Sequence, residues 1–257
     1  MNKIIHIAKI QLVMRTTSQL WRFIIFIQPI LYLMMTLFMM NGSMRTQYSM
    51  DAVLGAGMMG TWSSILFSSG SDIDRERRWG TLEMIVGCPT PLSSIIMGKA
   101  LTNSLVGLFS MGLSYITALL LFRQQLVIKH PCLFMLVLIL IIISVAAKGM
   151  IICTLFTLSR AVRGLLNVME NPIFLLSGLM FPIVILPLWT RPLSYILSLT
   201  WGMDALRMVS SGTFSYKHFL FSLVILLILT FLYLLLSLWL FQIIEKKSRK
   251  EATLGVY

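Results

Sequence analysis

Charge is scarce in this 257-residue chain. Only 12% of its residues are Asp, Glu, Lys or Arg, against about 25% in an ordinary soluble domain. Hydrophobic residues make up 58%, and runs close to the roughly 20 apolar residues that cross a bilayer recur. This composition excludes a soluble globular enzyme and indicates an integral membrane protein. The net charge of +12 therefore does not predict nucleic-acid binding, because basic residues gather on the cytoplasmic side of membrane proteins.

Groups that carry chemistry are also few. The three cysteines, Cys88, Cys132 and Cys153, lie far apart along the sequence, and the three histidines are His6, His130 and His218. Their spacing fits neither a disulfide framework nor a zinc site. No Walker A sequence is present, since Ala100 follows the Gly98-Lys99 pair. We therefore expect no catalytic residue, no metal site and no cofactor bound by this chain.

The densest run of charge extends from Asp72 to Pro91. Its first twelve residues, D-I-D-R-E-R-R-W-G-T-L-E, hold four acids and three arginines. A charge at the centre of a membrane helix costs roughly 2.5–3.5 kcal/mol, so we expect a loop in water between two spans. Gly80 is expected to break the helix that descends from the preceding span, and residues 81–86 to form a short second helix. A third helix is expected to start at Thr90 and Pro91.

This charged stretch has two interpretations. A plain solvated loop would only set the membrane topology through its arginines. Against that, Trp79, Leu82 and the run Met84-Ile85-Val86 are too apolar for a simple linker. We therefore favour a docking element for a cytoplasmic partner.

The fold class predicted from these patterns is an all-α integral membrane protein with six transmembrane helices. Residues 1–22 alternate basic and apolar side chains, which predicts an N-terminal helix lying in the membrane interface. The expected spans are 23–40, 51–70, 99–122, 131–158, 165–186 and 218–241. With both termini inside, the inner segments hold 14 of the 21 Lys and Arg residues and the outer segments hold 6. This imbalance places the termini and the charged stretch in the cytoplasm.

The second predicted span carries small residues at every fourth position, namely Ala52, Ala56, Gly60, Ser64 and Ser68. Such a stripe lets a neighbouring helix approach closely. A small-walled substrate path is the alternative, and we favour close packing.

The region after the fifth predicted span is irregular. Pro182, Pro187 and Pro192 recur at five-residue intervals, which excludes one long straight helix. We expect one or two short outer re-entrant helices over residues 187–213, lying at the outer surface between spans 5 and 6.

Two ionisable residues, Lys148 and Glu170, lie inside predicted spans, and Asn171 follows Glu170. Charges inside a membrane commonly pair and mark a translocation pathway. One hypothesis is a Lys148–Glu170 pair on facing helices, lining that pathway with Asn171. In the alternative, Lys148 extends to the interface and Glu170 sits in water near it. The sequence leaves both open.

Four segments resemble, in order and spacing, the membrane subunit of an ABC-2 type transporter. They are R-E-R-R-W-G-T-L-E-M-I (75–85), P-L-S-S-I-I-M-G-K (91–99), S-G-L-M-F-P-I (177–183) and P-L-S-Y-I-L-S-L-T-W-G-M-D-A-L-R (192–207). The resemblance covers nearly the whole chain and implies a single transmembrane domain over residues 1–257, with a cytoplasmic coupling segment over 72–91.

The resemblance also implies a mechanism. The coupling residues that would dock into a separate ATPase subunit are Arg75, Glu76, Arg77, Arg78, Trp79, Gly80, Thr81, Leu82 and Glu83. The short outer helices would form an outer gate, at which we place Pro182, Pro187 and Trp189. Two ATPase subunits holding ATP and Mg²⁺ would act on this chain and a second permease subunit, identical or different.

The expected activity is outward transport of an amphipathic or lipid-like cargo, such as a drug or an antimicrobial peptide, across a bacterial cytoplasmic membrane. The 19 methionines suit such cargo because their side chains adapt to varied shapes. A lipid-linked glycan is the alternative cargo. An ion-coupled secondary transporter that uses Lys148 and Glu170 is the alternative mechanism.

Overall fold

The computed structural model describes residues 19–40, 46–80, 92–121, 128–158, 162–211 and 215–251, and every regular element within these ranges is a helix. The helices are α1 (Gln19–Met40), α2 (Thr46–Arg78), α3 (Leu92–Leu121), α4 (Pro131–Leu158), α5 (Val162–Leu176), α6 (Arg191–Ile196), α7 (Ser198–Ser211) and α8 (Tyr216–Glu251), with a 3-10 turn at Ile183–Ile185. Most of the predicted interfacial helix lies outside the described residues. Its last four residues form the first turn of α1, so α1 begins before the predicted Phe23.

Three of these helices are long and apolar enough to cross a membrane, over residues 95–120, 131–155 and 216–243. A shorter apolar helix covers Ile25–Met39. Two other helices are not among these candidate spans. The helix α2 is rich in Gly and Ser, and α5 has only 15 residues. The chain is therefore a helical membrane protein, and the count of six spans stays a prediction.

The helix α2 forms the centre of the bundle, packed between α1 and α3. All five small residues of its predicted stripe are buried. A Cβ on Gly60 would lie 3.3 Å from the Ser110 Cβ of α3, and one on Gly107 would lie 2.7 Å from the side chain of Thr61. The Thr61 hydroxyl also donates to the Gly107 carbonyl at 3.0 Å. The interpretation of the stripe as a close-packing face is confirmed.

The charged stretch is helical over its first seven residues, because α2 continues unbroken through Asp72 to Arg78. This part is therefore the predicted helix that descends from the second span, and not an irregular loop. The predicted break at Gly80 is confirmed: its φ of 68° is in the left-handed region, which glycine reaches without a steric penalty. The Trp79 N–H closes the last turn on the Arg75 carbonyl at 3.0 Å. Residues 81–91, with the predicted short helix and the Thr90 cap, lie outside the described part of the chain.

The fifth helix ends at Leu176, ten residues before the predicted Leu186. Gly178 has a φ of 71°. Its N–H donates to the Leu175 carbonyl, and the Leu179 N–H donates to the Phe174 carbonyl, both at 3.3 Å. This is a Schellman motif, which satisfies the last carbonyls of a helix and turns the chain away. The sequence did not predict this helix end, because the apolar run continues past Gly178.

The short helices α6 and α7 meet at a junction that lies near the middle of α4 and α8. The Ser198 hydroxyl at the start of α7 contacts the Ser144 hydroxyl of α4 at 2.5 Å. Ser144 lies about 20 Å from the start of α4, at a rise of 1.5 Å per residue. The Tyr233 hydroxyl of α8 donates to the Ile196 carbonyl at 3.0 Å, about 25 Å from the start of α8 by the same rise. The expectation of short outer re-entrant helices stays a prediction.

Candidate coupling, pathway and gate sites

The end of α2 is tied to the beginning of α3 by an ion pair. The Lys99 ammonium donates to Glu76 Oε1 at 2.8 Å, and the two side chains are only 7% and 17% exposed. The pair thus joins the two helix turns that flank residues 81–91. Sequence reasoning placed Glu76 in the coupling set but missed Lys99, although a lone cation just inside an apolar run was a signal for it.

Trp79 follows this ion pair and is 59% exposed. The Arg75 guanidinium carbon lies 5.6 Å from the centre of its ring, within the range of a cation–π contact. Gly80 beside it is also exposed. This end of α2 therefore presents an indole face next to basic charge. Of the other predicted coupling residues, Arg77 and Arg78 belong to the last turn of α2.

Thr81, Leu82 and Glu83, the remaining predicted coupling residues, lie outside the described part of the chain. The two ranges that the structure does describe, up to Gly80 and from Leu92 onward, bring both edges of the coupling segment together through the pair Glu76–Lys99.

Lys148 and Glu170 do not pair. Lys148 of α4 is 7% exposed, and its Nζ atom has no hydrogen-bond partner. It lies 5.6 Å from the ring centre of Trp62 on α2 and 5.0 Å from that of Tyr233 on α8. Aromatic faces attract a cation. The two rings therefore take the place of Glu170, which the pairing hypothesis predicted beside Lys148. Because the ammonium is enclosed, Lys148 does not extend to the interface either.

Glu170 of α5 instead joins a polar cluster with α1 and α2. Its Oε1 accepts hydrogen bonds from the Ser63 hydroxyl and, at 3.2 Å, from the Tyr32 hydroxyl. The Gln28 amide donates to the Tyr32 oxygen at 2.5 Å. Asn171, the next residue, is exposed. Sequence reasoning missed Gln28, Tyr32 and Ser63, although Gln28 and Tyr32 are spaced one helical turn apart in an apolar helix.

A second polar cluster holds α7 at the opposite end of α2 from the pair Glu76–Lys99. The Arg207 Nε lies 3.7 Å from Asp51 Oδ1, and its Nη2 donates to the Gly178 carbonyl at 2.9 Å. Asp204 accepts from the Ser222 hydroxyl of α8 at 2.8 Å and lies 3.2 Å from His218 Nε2. Charged groups thus join α2, the turn after α5, α7 and α8.

The predicted gate residues lie on the segment that enters α6. Pro182 precedes the 3-10 turn, and the Pro187 carbonyl accepts from the Thr190 N–H at 3.1 Å. Trp189 is 77% exposed. The structure does not bring these three into the cluster of Arg207 and Asp204, which sequence reasoning did not select.

An apolar cavity of about 320 Å³ lies among α2, α3 and α4. Met50 of α2, Met111 and Tyr115 of α3, and Phe134 of α4 are among the described residues that line it. They lie toward the start of α2, the later part of α3 and the start of α4. The cavity is therefore at the end of the bundle away from Glu76.

Comparison with known families gives one finding. The family model described as ABC-2 type transporter matches residues 4–210, which include every site described above except the α8 residues. No curated protein matches the sequence at a significant level.

Proposed function

The chain belongs to the ABC-2 type transporter family, and we propose on this premise that it is the permease subunit of an ATP-driven exporter. Its cargo is amphipathic or lipid-like, such as a drug or an antimicrobial peptide. The observation that carries the proposal is the exposed Trp79 at the end of α2, next to the buried pair of Glu76 and Lys99. An exposed indole at the end of a buried, rigidly held helix is suited to docking.

In our proposal, α2 carries the movement from this docking end toward the gate. The helix α2 has 33 residues, so it is about 50 Å long. At its far end, a Cβ on Gly55 would lie 2.1 Å from the Leu179 carbonyl oxygen, and Asp51 faces Arg207. A displacement of α2 at Glu76 is therefore transmitted to the turn after α5 and to α7. In our proposal this movement opens the outer gate of Pro182, Pro187 and Trp189.

The proposed pathway runs beside Glu170 and Asn171. Asn171 is exposed, and Glu170 is held half-buried by hydroxyl groups of α1 and α2. Lys148 belongs to the enclosed core beside Trp62 and Tyr233, so we leave it out of the proposed pathway. This also weakens the alternative of an ion-coupled transporter, which would use a Lys148–Glu170 pair.

The family pairs such permeases with an ABC ATPase subunit. We propose two ATPase subunits, which hold ATP and Mg²⁺, and a second permease that is either a copy of this chain or a related one. Closure of the ATPase dimer moves the coupling segments together, and the permeases alternate between inward and outward access. We place the assembly in a bacterial cytoplasmic membrane, with both termini of this chain in the cytoplasm.

Co-purification from native membranes in mild detergent tests this proposal. The samples are the wild-type permease, Glu76→Ala, Gly80→Pro and the control Lys129→Ala, which removes an exposed charge beside α4. Proline cannot adopt the positive φ of Gly80, so that variant distorts the docking end. We expect mass spectrometry to find an ATPase with the wild type and the control, and to lose it from the other two. Folded permease without an ATPase in every sample would contradict the proposal.

A further inference from the structure

We propose that the cargo carries a cationic group and that Glu170 binds it, so that this permease moves organic ammonium or other lipophilic cations. The inference rests on the proposed function, since it names the class of cargo for the same pathway. The observation behind it is a carboxylate inside a membrane bundle that the described residues supply with hydrogen bonds but not with a positive charge.

Hydrogen bonds hold the Glu170 carboxylate through one of its two oxygens. The Gln28 amide donates to the Tyr32 oxygen, and the hydroxyls of Tyr32 and Ser63 are both within reach of Glu170 Oε1. Both hydroxyls therefore converge on the same carboxylate oxygen. The second oxygen, Oε2, has no hydrogen bond from the described residues, and its lone pairs are available to a ligand.

Among the side chains that the structure describes, no cation pairs with this carboxylate. The ion pairs found there join Lys99 to Glu76 and Arg207 to Asp51, and the His218 imidazole contacts Asp204. The nearest intramembrane candidate from the sequence, Lys148, faces two aromatic rings instead. An unpaired charge inside a membrane protein is costly and marks a functional site. A cationic cargo would supply the missing charge when it binds.

One aromatic ring adjoins the carboxylate as well. Tyr32, whose hydroxyl donates to Glu170 at 3.2 Å, is only partly buried, and its ring packs edge-to-face on the buried Phe174. A carboxylate beside an accessible aromatic ring suits an organic cation, since the ring attracts the cation. The same arrangement disfavours an anionic headgroup. It therefore favours a cationic drug or peptide over a lipid-linked glycan that carries phosphate.

The site is accessible from outside the protomer. Glu170 is half-buried, Asn171 is exposed, and Val168 on the same helix is 73% exposed. The enclosed ammonium of Lys148 has no such access and cannot select an anion. Among the side chains that the structure describes here, the charge that a cargo can reach is therefore that of the Glu170 carboxylate.

Equilibrium binding of two ions of nearly the same shape tests the proposal. The probes are the cation tetraphenylphosphonium and the anion tetraphenylborate, and the sample is the purified permease alone in nanodiscs of phosphatidylcholine. Binding to empty nanodiscs is subtracted. We expect the wild type to bind the cation at least about tenfold more tightly than the anion, the ratio typical of one charge-assisted contact.

Variants assign this preference to the carboxylate. Glu170→Gln keeps the volume and removes the charge, and we expect it to abolish the preference. Glu170→Asp keeps the charge, and we expect it to retain a preference. Glu245→Gln makes the same charge change near the end of α8 and should behave as the wild type. If Glu170→Gln does not fold, Ser63→Ala replaces it, with an expected partial loss.

Equal binding of the two ions by the wild type, tighter binding of the anion, or an unchanged preference in Glu170→Gln would overturn the proposal. The assay contains neither an ATPase nor ATP. A failure here therefore leaves the co-purification result standing, and a failure of co-purification leaves this binding result standing.

Discussion

Removing one partner of the Glu76–Lys99 pair should destabilise the protein more than removing both. The pair lies at 2.8 Å with its side chains 17% and 7% exposed. Breaking a buried ion pair on one side costs about 3–5 kcal/mol, because the other charge stays buried without compensation. Since Glu76 keeps some contact with its surroundings, we expect the lower end, about 3 kcal/mol, for Glu76→Gln and for Lys99→Met.

The double variant removes both charges of the pair, and we expect it to cost about 1 kcal/mol, because replacing a buried ion pair by uncharged side chains often changes stability little. The coupling energy is then several kcal/mol, which is strong for a contacting pair. In a protein of this size about 1 kcal/mol shifts the unfolding temperature by roughly 2–4 °C. Each single variant should therefore unfold about 6–12 °C below the wild type, and the double variant about 2–4 °C below it.

Thermal unfolding of the detergent-purified permease, followed by tryptophan fluorescence, measures these shifts. The scan is repeated at low and high salt, because a buried pair is screened far less than an exposed one. Single variants that unfold with the wild type would refute the reasoning. So would a double variant whose shift equals the sum of the two single shifts, or shifts that disappear in high salt.

Three further predictions use the same unfolding measurement. Gly55→Ala should prevent folding, since its Cβ would lie 2.1 Å from a backbone oxygen. Gly112→Ala, whose Cβ meets nothing within 4 Å, should stabilise the protein by about 0.5–1 kcal/mol. Similar yields of folded protein from the two variants would contradict this. Lys148→Met should leave the unfolding temperature unchanged or raise it, because the buried ammonium has no hydrogen bond, and a clear decrease would show that its aromatic contacts are essential. Arg207→Leu should lower the free energy of unfolding by about 3 kcal/mol, because it leaves Asp51 unpaired. Arg207→Lys should recover only part of this loss, because the guanidinium also donates to the Gly178 carbonyl. Full recovery would argue against that second contact.

Features that depend only on the local sequence could be predicted. The bounds of α4, Pro131 to Leu158, follow from an apolar run that starts at a proline. The break at Gly80 follows from glycine after a charged helix end. The small-residue stripe of α2 repeats at the helical period, so its close packing against α3 could be inferred from spacing alone.

Features that depend on how distant segments meet were not predictable. Lys148 and Glu170 lie on different helices, and sequence spacing does not say which faces of those helices point toward each other. Aromatic residues and hydroxyl groups turned out to be their partners. The depth of the junction between α6 and α7 rests on contacts with Ser144 and Tyr233, which are far away in the sequence. The prolines predicted that the chain turns in this part of the sequence. They did not predict how far into the bundle the turn lies.

Site-directed crosslinking at the end of α2 tests the coupling role most directly. In a chain whose Cys88, Cys132 and Cys153 are replaced by serine, one cysteine is introduced at Trp79, which is 59% exposed, or at Met135, which is 62% exposed near the start of α4. A thiol–amine crosslinker is then applied in membranes that contain the co-purifying ATPase. The account predicts a crosslink from Trp79→Cys to the ATPase, altered by ATP, and none from Met135→Cys. A crosslink from Met135→Cys alone, or none from Trp79→Cys while the ATPase stays bound, would contradict it.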